Sequence, residues 1–168
     1  MQRDLVALAA GKPTYQWIEA GSLGRCPGFD PSPATIQAEV WLAIAAGARG
    51  IGYFPDFWPG AIGATITALN GRIAALAPAL LAPETPVSFG PTGTPVKAGG
   101  RTLNGAFYVV AANPSFRSAR AVFTVPGLRS TSVSVFGEGR TLQVKDGSFV
   151  DSFKGLGVHV YVAAPLDD

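Results

Sequence analysis

The 168-residue sequence predicts an α/β segment followed by an antiparallel β-sandwich. The first half alternates strand-like runs with helices whose apolar residues repeat at helical spacing. The second half has no helical period and consists of short apolar runs separated by turn residues. The pattern changes near Pro83, which divides the chain into two predicted domains, residues 1–83 and 84–168.

Composition and charge narrow the possible partners. Hydrophobic residues make up 48% of the chain and charged residues 14%, which favours a well-buried core. The net charge of +2 is small and the arginines are spread out, so we expect no nucleic-acid partner. No apolar run is long enough to span a bilayer, and a single histidine cannot build a His-rich metal site. We therefore expect no membrane partner, no metal and no cofactor.

The first half predicts two strands, each followed by a long helix. The first strand is expected over residues 14–18, and its helix begins with Ser32 as the capping residue. The second strand, over residues 51–54, is an uninterrupted apolar run typical of a parallel sheet. Its helix is expected over residues 64–81, where Pro78 kinks or ends it. This order is the βαβα pattern of parallel sheets.

A βαβα unit alone leaves both edges of its sheet open. Further strands must then come from another segment or another chain, or the sheet is completed by oligomerisation. The N-terminal residues also resemble the end of an amphipathic helix, with Leu5, Leu8 and Ala9 on one face. Both observations favour the tail of a longer fold.

The second half predicts a small antiparallel β-sandwich. Turn signals such as Asn104-Gly105 and Asp146-Gly147 separate its apolar runs. Eight strands are expected, near residues 87–89, 95–98, 106–112, 119–125, 131–136, 141–144, 149–153 and 158–162.

Family-like motifs occur in both halves. The first half contains KPTYQWIEAG and AIAAGARGIGYF, and the second contains LNGAFYVVAANPS and a closing VHVY. The first pair resembles the last strands and helices of the (β/α)8 barrel of bacterial glycoside hydrolases, in the β-galactosidase-like clan. The second pair resembles the β-sandwich that follows such barrels.

This resemblance implies a partial (β/α)8 barrel, made of the last βαβα units over residues 1–83, with its trailing sandwich over residues 84–168. A complete barrel needs about 250 residues, so the chain would be the C-terminal fragment of a longer glycosidase. It implies a carbohydrate substrate and fits a secreted or periplasmic enzyme, although composition alone fixes no compartment. The alternative is a non-catalytic carbohydrate-binding or structural β-sandwich module.

Glu19 is the candidate catalytic residue, because it lies where a barrel enzyme keeps its site, at the C-terminal end of a strand. By resemblance it matches the nucleophile of a retaining glycosidase. Such enzymes need two carboxyl groups about 5–5.5 Å apart, and the partner acid would come from a strand that this chain lacks. The isolated chain is therefore expected to be inactive. Alternatively, Glu19 is a strand-end acid that caps a loop or pairs with Arg25.

Four further residues are candidates for substrate binding. Trp17 and Trp58 lie near the two strand ends, where aromatic faces can stack on sugars, although Trp58 could equally be core. Asp56 could hydrogen-bond sugar hydroxyls or serve as a second carboxylate; alternatively, it is a turn residue after Pro55. Arg25 could orient Glu19 or remain an ordinary surface arginine.

Other conspicuous side chains are assigned to structure. Trp41 lies inside the first long helix, and Tyr15 and Tyr53 lie inside strands, so all three are expected in the core. His159 lies in the closing strand and is also expected to be structural.

Overall fold

The computed structural model describes residues 2–21, 30–55, 57–58 and 60–163. Over these residues the fold is mixed α/β, with three helices, one parallel sheet and two antiparallel sheets. The helices are α1 (Gln2–Leu8), α2 (Pro33–Ala45) and α3 (Gly60–Leu80). The strands are β1 (Tyr15–Glu19), β2 (Gly50–Phe54), β3 (Glu84–Thr85), β4 (Ser88–Gly90), β5 (Lys97–Leu103), β6 (Ala106–Ala112), β7 (Ala119–Thr124), β8 (Ser132–Val135), β9 (Arg140–Gln143), β10 (Ser148–Phe153) and β11 (Val158–Ala163).

Strands β1 and β2 form a two-stranded parallel sheet, as the βαβα pattern predicts. Tyr15 lies opposite Gly50, and Glu19 lies opposite Phe54. Side chains alternate between the two faces, so Ile18 is buried against the helices while Tyr15 is 66% exposed. The prediction that Tyr15 belongs to the core is therefore wrong, because helices cover only one face of this sheet in the described part of the chain.

Helix α2 begins and packs as predicted. The Ser32 hydroxyl accepts a hydrogen bond from the Thr35 amide, and the Thr35 hydroxyl accepts one from the Ser32 amide, which completes a capping box. The predicted apolar stripe is buried, and it consists of Ile36, Val40, Ala43 and Ile44. Trp41 is also fully buried, which confirms its assignment to the core.

Helix α3 begins four residues before its predicted start and ends at Leu80, with Pro78 in its last turn. The guanidinium groups of Arg49 and Arg101 both donate to the Leu80 carbonyl, each over 3.3 Å. Cationic groups are favoured there, because the C-terminal end of a helix carries partial negative charge. The buried Arg101 also pairs with Glu84 over 3.2 Å. These arginines connect the end of α3 to β5.

The second half forms two antiparallel sheets. One has the strand order β3-β5-β6-β11-β8-β9, and the other has the order β10-β7-β4. The predicted Asn104-Gly105 turn joins β5 to β6, and both of its residues have positive φ, as a tight hairpin turn requires. The eight predicted strands are all found, although β5 is longer than predicted and the short β3 was not foreseen.

The six-stranded sheet is covered on both faces. One face packs against the helices in a first core cluster, which includes residues from β1, α2, α3, β6 and β11. Tyr53 is partly buried against this cluster, as predicted. The other face packs against the three-stranded sheet in a second cluster, where Phe123, Phe149 and Tyr161 are in ring contact.

Helix α1 is present where the sequence predicts a helix, but its predicted apolar face is not buried. Leu5 is 44% exposed and Leu8 is 82% exposed. The helix is instead attached by polar contacts. The Gln2 amide donates to the Thr14 hydroxyl over 2.9 Å, and Arg3 donates to the Ala98 carbonyl over 2.8 Å.

Candidate active-site rim

Glu19 lies at the edge where the two parallel strands end, which we call the strand-end rim. It is the last residue of β1 and lies opposite Phe54, the last residue of β2. The Ala20 amide donates to the Phe54 carbonyl over 2.6 Å, which holds the two strand ends together. A Cβ atom on Gly21 would lie 3.1 Å from the Pro55 ring, so the segments that follow the two strands approach each other closely there. The predicted position of Glu19 at a strand end is therefore observed.

Glu19 shares a face of the sheet with Trp17, because the two residues are separated by one position along the strand. Glu19 is partly buried, and Trp17 is 65% exposed. The Trp17 indole lies against β2, since a Cβ atom on Gly52 would come within 2.7 Å of its ring. Tyr15 lies over Gly50 in the same way. We call this exposed surface of Tyr15, Trp17 and Glu19 the open face.

A second carboxylate, Glu39, interacts electrostatically with Glu19. Partial burial raises the pKa of Glu39, and the negative charge of Glu19 raises it further. Glu39 belongs to α2, which packs against the face of the sheet opposite to Trp17. Glu39 lines a groove beside β1 whose walls also include Trp17 and Ile18.

Trp58 packs on the helix side of the sheet. Its ring meets Tyr53 edge to face, with centroids 5.8 Å apart and an interplanar angle of 70°. Both rings are partly buried against the first core cluster. Among the described residues, the buried indole Nε1 has no hydrogen-bond partner. The structure thus does not bring Trp58 onto the open face, whereas the predicted positions of Arg25 and Asp56 lie outside the described residues.

A dense group of ionisable side chains lies between the two sandwich sheets, and we call it the intersheet network. Arg140 on β9 donates to both carboxylate oxygens of Asp151 on β10, over 3.1 and 2.7 Å. The Tyr161 hydroxyl donates to Asp151 over 2.8 Å. Glu138 contacts Arg140 over 2.8 Å and the His159 Nδ1 atom over 2.6 Å. The network thus connects both sheets through paired charges.

The pKa shifts in this network follow from its contacts. Burial favours the neutral form of Asp151, but hydrogen bonds from Arg140 and Tyr161 outweigh it and lower the pKa of Asp151. For Glu138, hydrogen bonds from His159 and Arg140 likewise outweigh burial and lower its pKa. The Asp151 hydrogen bond raises the pKa of Arg140, and burial raises that of Tyr161. These pKa shifts favour charged Asp151, Glu138 and Arg140 side chains and a neutral Tyr161.

Sequence reasoning recognised only one member of this network, since it assigned His159 a structural role. A signal for the others was present in the spacing. Glu138 and Arg140 are two residues apart, as are His159 and Tyr161. In a strand, residues at this spacing share one face, as His159 and Tyr161 do in β11. Asp151 gave no such signal, because its partners lie on other strands.

The described part of the chain shows no grouping for a metal ion and no membrane-spanning helix. Side chains of His, Cys, Asp and Glu do not gather there in threes or more with the geometry to hold a metal. None of the helices described combines the length and apolarity needed to cross a bilayer.

Solved structures similar to this chain are carbohydrate-active enzymes. An α-amylase from Geobacillus thermoleovorans, complexed with acarbose, matches 81% of the chain with 12% identity and a TM-score of 0.63. A GH30 endoxylanase from Clostridium papyrosolvens matches 97% of it, with 13% identity and a TM-score of 0.59. A GH27 β-L-arabinopyranosidase from Geobacillus stearothermophilus matches 92%, with 10% identity and a TM-score of 0.64.

The chain shares the fold of the matched parts of these enzymes. The chain spans 34% of the length of the amylase, 46% of the endoxylanase and 38% of the arabinopyranosidase. No protein-family model matches the sequence, and no curated protein matches it. At these identities the comparisons establish the fold alone.

Proposed function

We propose that this chain is the C-terminal part of a glycoside hydrolase that cleaves O-glycosidic bonds of a carbohydrate with retention of configuration. Residues 1–83 would form the last βαβα units of its barrel, and residues 84–168 its trailing sandwich. The observation that carries the proposal is Glu19, which ends a parallel strand beside an exposed tryptophan in a glycoside-hydrolase-like fold.

The open face gives each proposed role a physical basis. The Glu19 carboxylate would attack the anomeric carbon, forming a glycosyl ester while the bond to the leaving oxygen breaks. The Trp17 indole, two residues deeper on the same face, offers a flat apolar surface below that carboxylate. The proton for the leaving group would come from an acid on a further strand. Arg25 and Asp56 remain proposed sugar contacts.

Covalent labelling tests the nucleophile. The gene is first read upstream of Met1 for an in-frame barrel segment, and the longer product is treated with 2,4-dinitrophenyl 2-deoxy-2-fluoroglycosides. The dinitrophenolate group of such a reagent leaves without protonation by an acid, and the fluorine slows hydrolysis of the glycosyl ester. Mass spectrometry should therefore find one sugar on the peptide containing Glu19. Glu19→Gln should abolish the label, whereas Glu39→Gln should keep it, because Glu39 lies on the helix side.

The isolated 168-residue chain should not hydrolyse aryl glycosides whose leaving group needs protonation, since the acid is proposed to come from a further strand. Turnover by this chain that survives Glu19→Gln would contradict the proposal. A label on another carboxylate would exclude Glu19 as nucleophile. A gene without an upstream barrel segment would contradict the assignment of the chain to a longer enzyme.

A further inference from the structure

An exposed aromatic ring lies at one end of the sandwich, in the loop that joins β6 to β7. Phe116 is 81% exposed, although the backbone that carries it is firmly held. That backbone lies directly against the β10–β11 turn, since a Cβ atom on Gly155 would come within 2.2 Å of the Phe116 carbonyl oxygen. The Leu156 amide also donates to the Ser115 carbonyl over 2.8 Å. The fold thus fixes this loop while leaving the Phe116 ring in solvent.

The completely buried Asn113 side chain anchors the same loop. Its Nδ2 atom donates to the carbonyl groups of Arg117 and Lys154, over 2.7 and 2.9 Å. Its Oδ1 atom accepts a hydrogen bond from the Ser115 amide over 3.0 Å. Because Asn113 binds only backbone groups, the side chains of Arg117 and Lys154 stay exposed. A loop that is ordered before binding loses little conformational entropy when a ligand arrives.

Three cations belong to this end of the sandwich, and no acid compensates them. Arg117 and Lys154 lie on the two joined loops, and Arg120 is an exposed residue near the start of β7. None of the three forms an ion pair with a described residue, and neither loop contains an acid. The one acid of β10, Asp151, is paired within the intersheet network. We call Phe116 and the three cations the basic tip.

The outer face of the three-stranded sheet leads up to the basic tip. Arg120 shares this face with Val122 and Thr124, since the residues between them are buried in the core. Val122 pairs with Val150, and the two side chains are 40% and 37% exposed. The hydroxyl groups of Thr124 and Ser148 are joined by a hydrogen bond of 2.8 Å. The face therefore has an exposed apolar centre between hydroxyl groups at one end and cations at the other.

Charge and shape together favour one class of ligand. Three cations are fewer than the about 6–10 phosphate contacts of typical DNA-binding proteins. They are also fewer than the clusters of about 4–8 basic residues that bind anionic membranes. They suffice for carboxylates spaced along an extended chain, and the aromatic ring offers a flat apolar surface to the C–H groups of a sugar.

We propose that the basic tip and the adjoining outer face bind an acidic polysaccharide. Its uronate carboxylates pair with Arg117, Arg120 and Lys154, while one of its sugars stacks on Phe116. This site goes beyond the proposed function, because the six-stranded sheet lies between it and the helices that cover the parallel strands. The inference rests on the proposed function only in preferring a sugar polymer to an acidic peptide.

NMR titration of the 168-residue chain with uronate hexasaccharides tests the inference. The probes are fragments of polygalacturonate, of polymannuronate and of hyaluronan. At least one should bind saturably and shift the amide signals of Phe116, Arg117 and Lys154, while the signal of Arg129 stays unchanged. The same hexasaccharide with its carboxyl groups reduced to alcohols should bind about five-fold more weakly, because the ion pairs are lost. Polyglutamate should also bind more weakly, since it offers no sugar ring for stacking.

Matched variants separate this site from general charge attraction. Phe116→Ala should weaken binding about five-fold, whereas Phe116→Tyr should keep it. The double variant Arg117→Ala/Lys154→Ala should weaken binding about five-fold as well. Alanine retains the two carbonyl groups that Asn113 binds, so both loops should stay folded. Arg129→Ala removes an exposed cation at the opposite end of the sandwich and should leave binding unchanged.

The proposal would be overturned if none of the three uronate probes bound, or if the reduced hexasaccharide bound equally well. Equal losses from Arg129→Ala and from the double variant would also overturn it, because binding would then follow net charge alone. So would polyglutamate or single-stranded DNA that bound as tightly as the uronate. The titration needs neither Glu19 nor a longer product. Failure of this site and failure of the proposed nucleophile can therefore be told apart.

Discussion

Single glycines set the distance between layers in this molecule. A Cβ atom on Gly99 of β5 would lie 2.2 Å from the Ala45 carbonyl oxygen at the end of α2. Both groups are backbone or directly attached to it, so neither can rotate away. By contrast, a Cβ atom on Gly71 of α3 would meet nothing within 4 Å. The two positions therefore respond to the same substitution in opposite ways.

Gly99→Ala should lower the free energy of unfolding by about 2–3 kcal/mol, because it forces α2 away from the six-stranded sheet. Gly71→Ala, the matched control, should raise it by up to about 1 kcal/mol, since alanine is the better helix residue. Urea unfolding followed by circular dichroism measures both values. A Gly99→Ala protein as stable as the parent would show that the layers do not approach so closely.

The sequence could locate Glu19 and Trp17 on one face, because strand alternation is a local property. It placed Tyr15 wrongly in the core, and it left Trp58 open between the core and the rim. Tyr15 has a typical core-strand context, and its exposure depends on which face the helices cover. Trp58 follows a strand end, but its ring turns back onto Tyr53. Both outcomes depend on packing between elements distant in sequence.

Between elements, the intersheet network connects the two sheets of the sandwich through polar contacts. It ties the outer strand β9, which pairs only with β8 in its sheet, to β10 of the opposite sheet. Asp151 is buried and accepts from Arg140 and Tyr161, so removing its charge affects several partners. The stability of the sandwich should therefore depend on the ionisation of this carboxylate.

Acid should weaken the sandwich through Asp151 and Glu138. Their lowered pKa values mean that the unfolded chain, with reference values of about 3.9 and 4.3, binds protons first as the pH falls. Their contribution is complete above about pH 5 and is lost as the pH falls through the lowered folded-state values. Asp151→Asn should cost about 2 kcal/mol at neutral pH and flatten this dependence.

Urea unfolding at a series of pH values from about 7 to 2 measures the effect. Asp146→Asn serves as control, because this exposed turn residue has a φ of 51°, which asparagine also tolerates. It should leave both the stability and its pH dependence unchanged. If Asp151→Asn kept the full pH dependence, the acid-sensitive groups would have to lie elsewhere.

At the scale of elements, the sequence predicted where strands lie better than which strands pair with each other. Asn104-Gly105 predicted the β5–β6 hairpin, because its positive φ values are a local requirement. The strand β3 has only two residues, Glu84 and Thr85, and exists through pairing with β5. Nothing in its own sequence distinguishes it from a loop.

At the scale of the whole molecule, the six-stranded sheet is the central layer, with helices on one face and the three-stranded sheet on the other. The sequence predicted the change of pattern near Pro83, but not that α2 and α3 would share a core cluster with β6 and β11. Periodicity shows that an element has an apolar face. It does not show which distant element covers that face.

The open face also gives the molecule a built-in optical probe. The three tryptophans of the protein differ in solvent exposure: Trp17 is 65% exposed, Trp41 is fully buried and Trp58 is partly buried. Iodide should quench the red-shifted emission of Trp17 in the isolated chain and leave the blue-shifted emission of Trp41 unaffected. Trp17→Phe should remove the quenchable component, whereas a quenchable component that persisted would place the exposed indole elsewhere.

In the proposed barrel, further strands would close around the open face and enclose Trp17. Their arrival would move that emission to shorter wavelength and protect it from iodide, while Trp41 serves as an internal reference. The unlabelled protein would thus report, in a cuvette and in real time, when the further strands of the proposed barrel are in place.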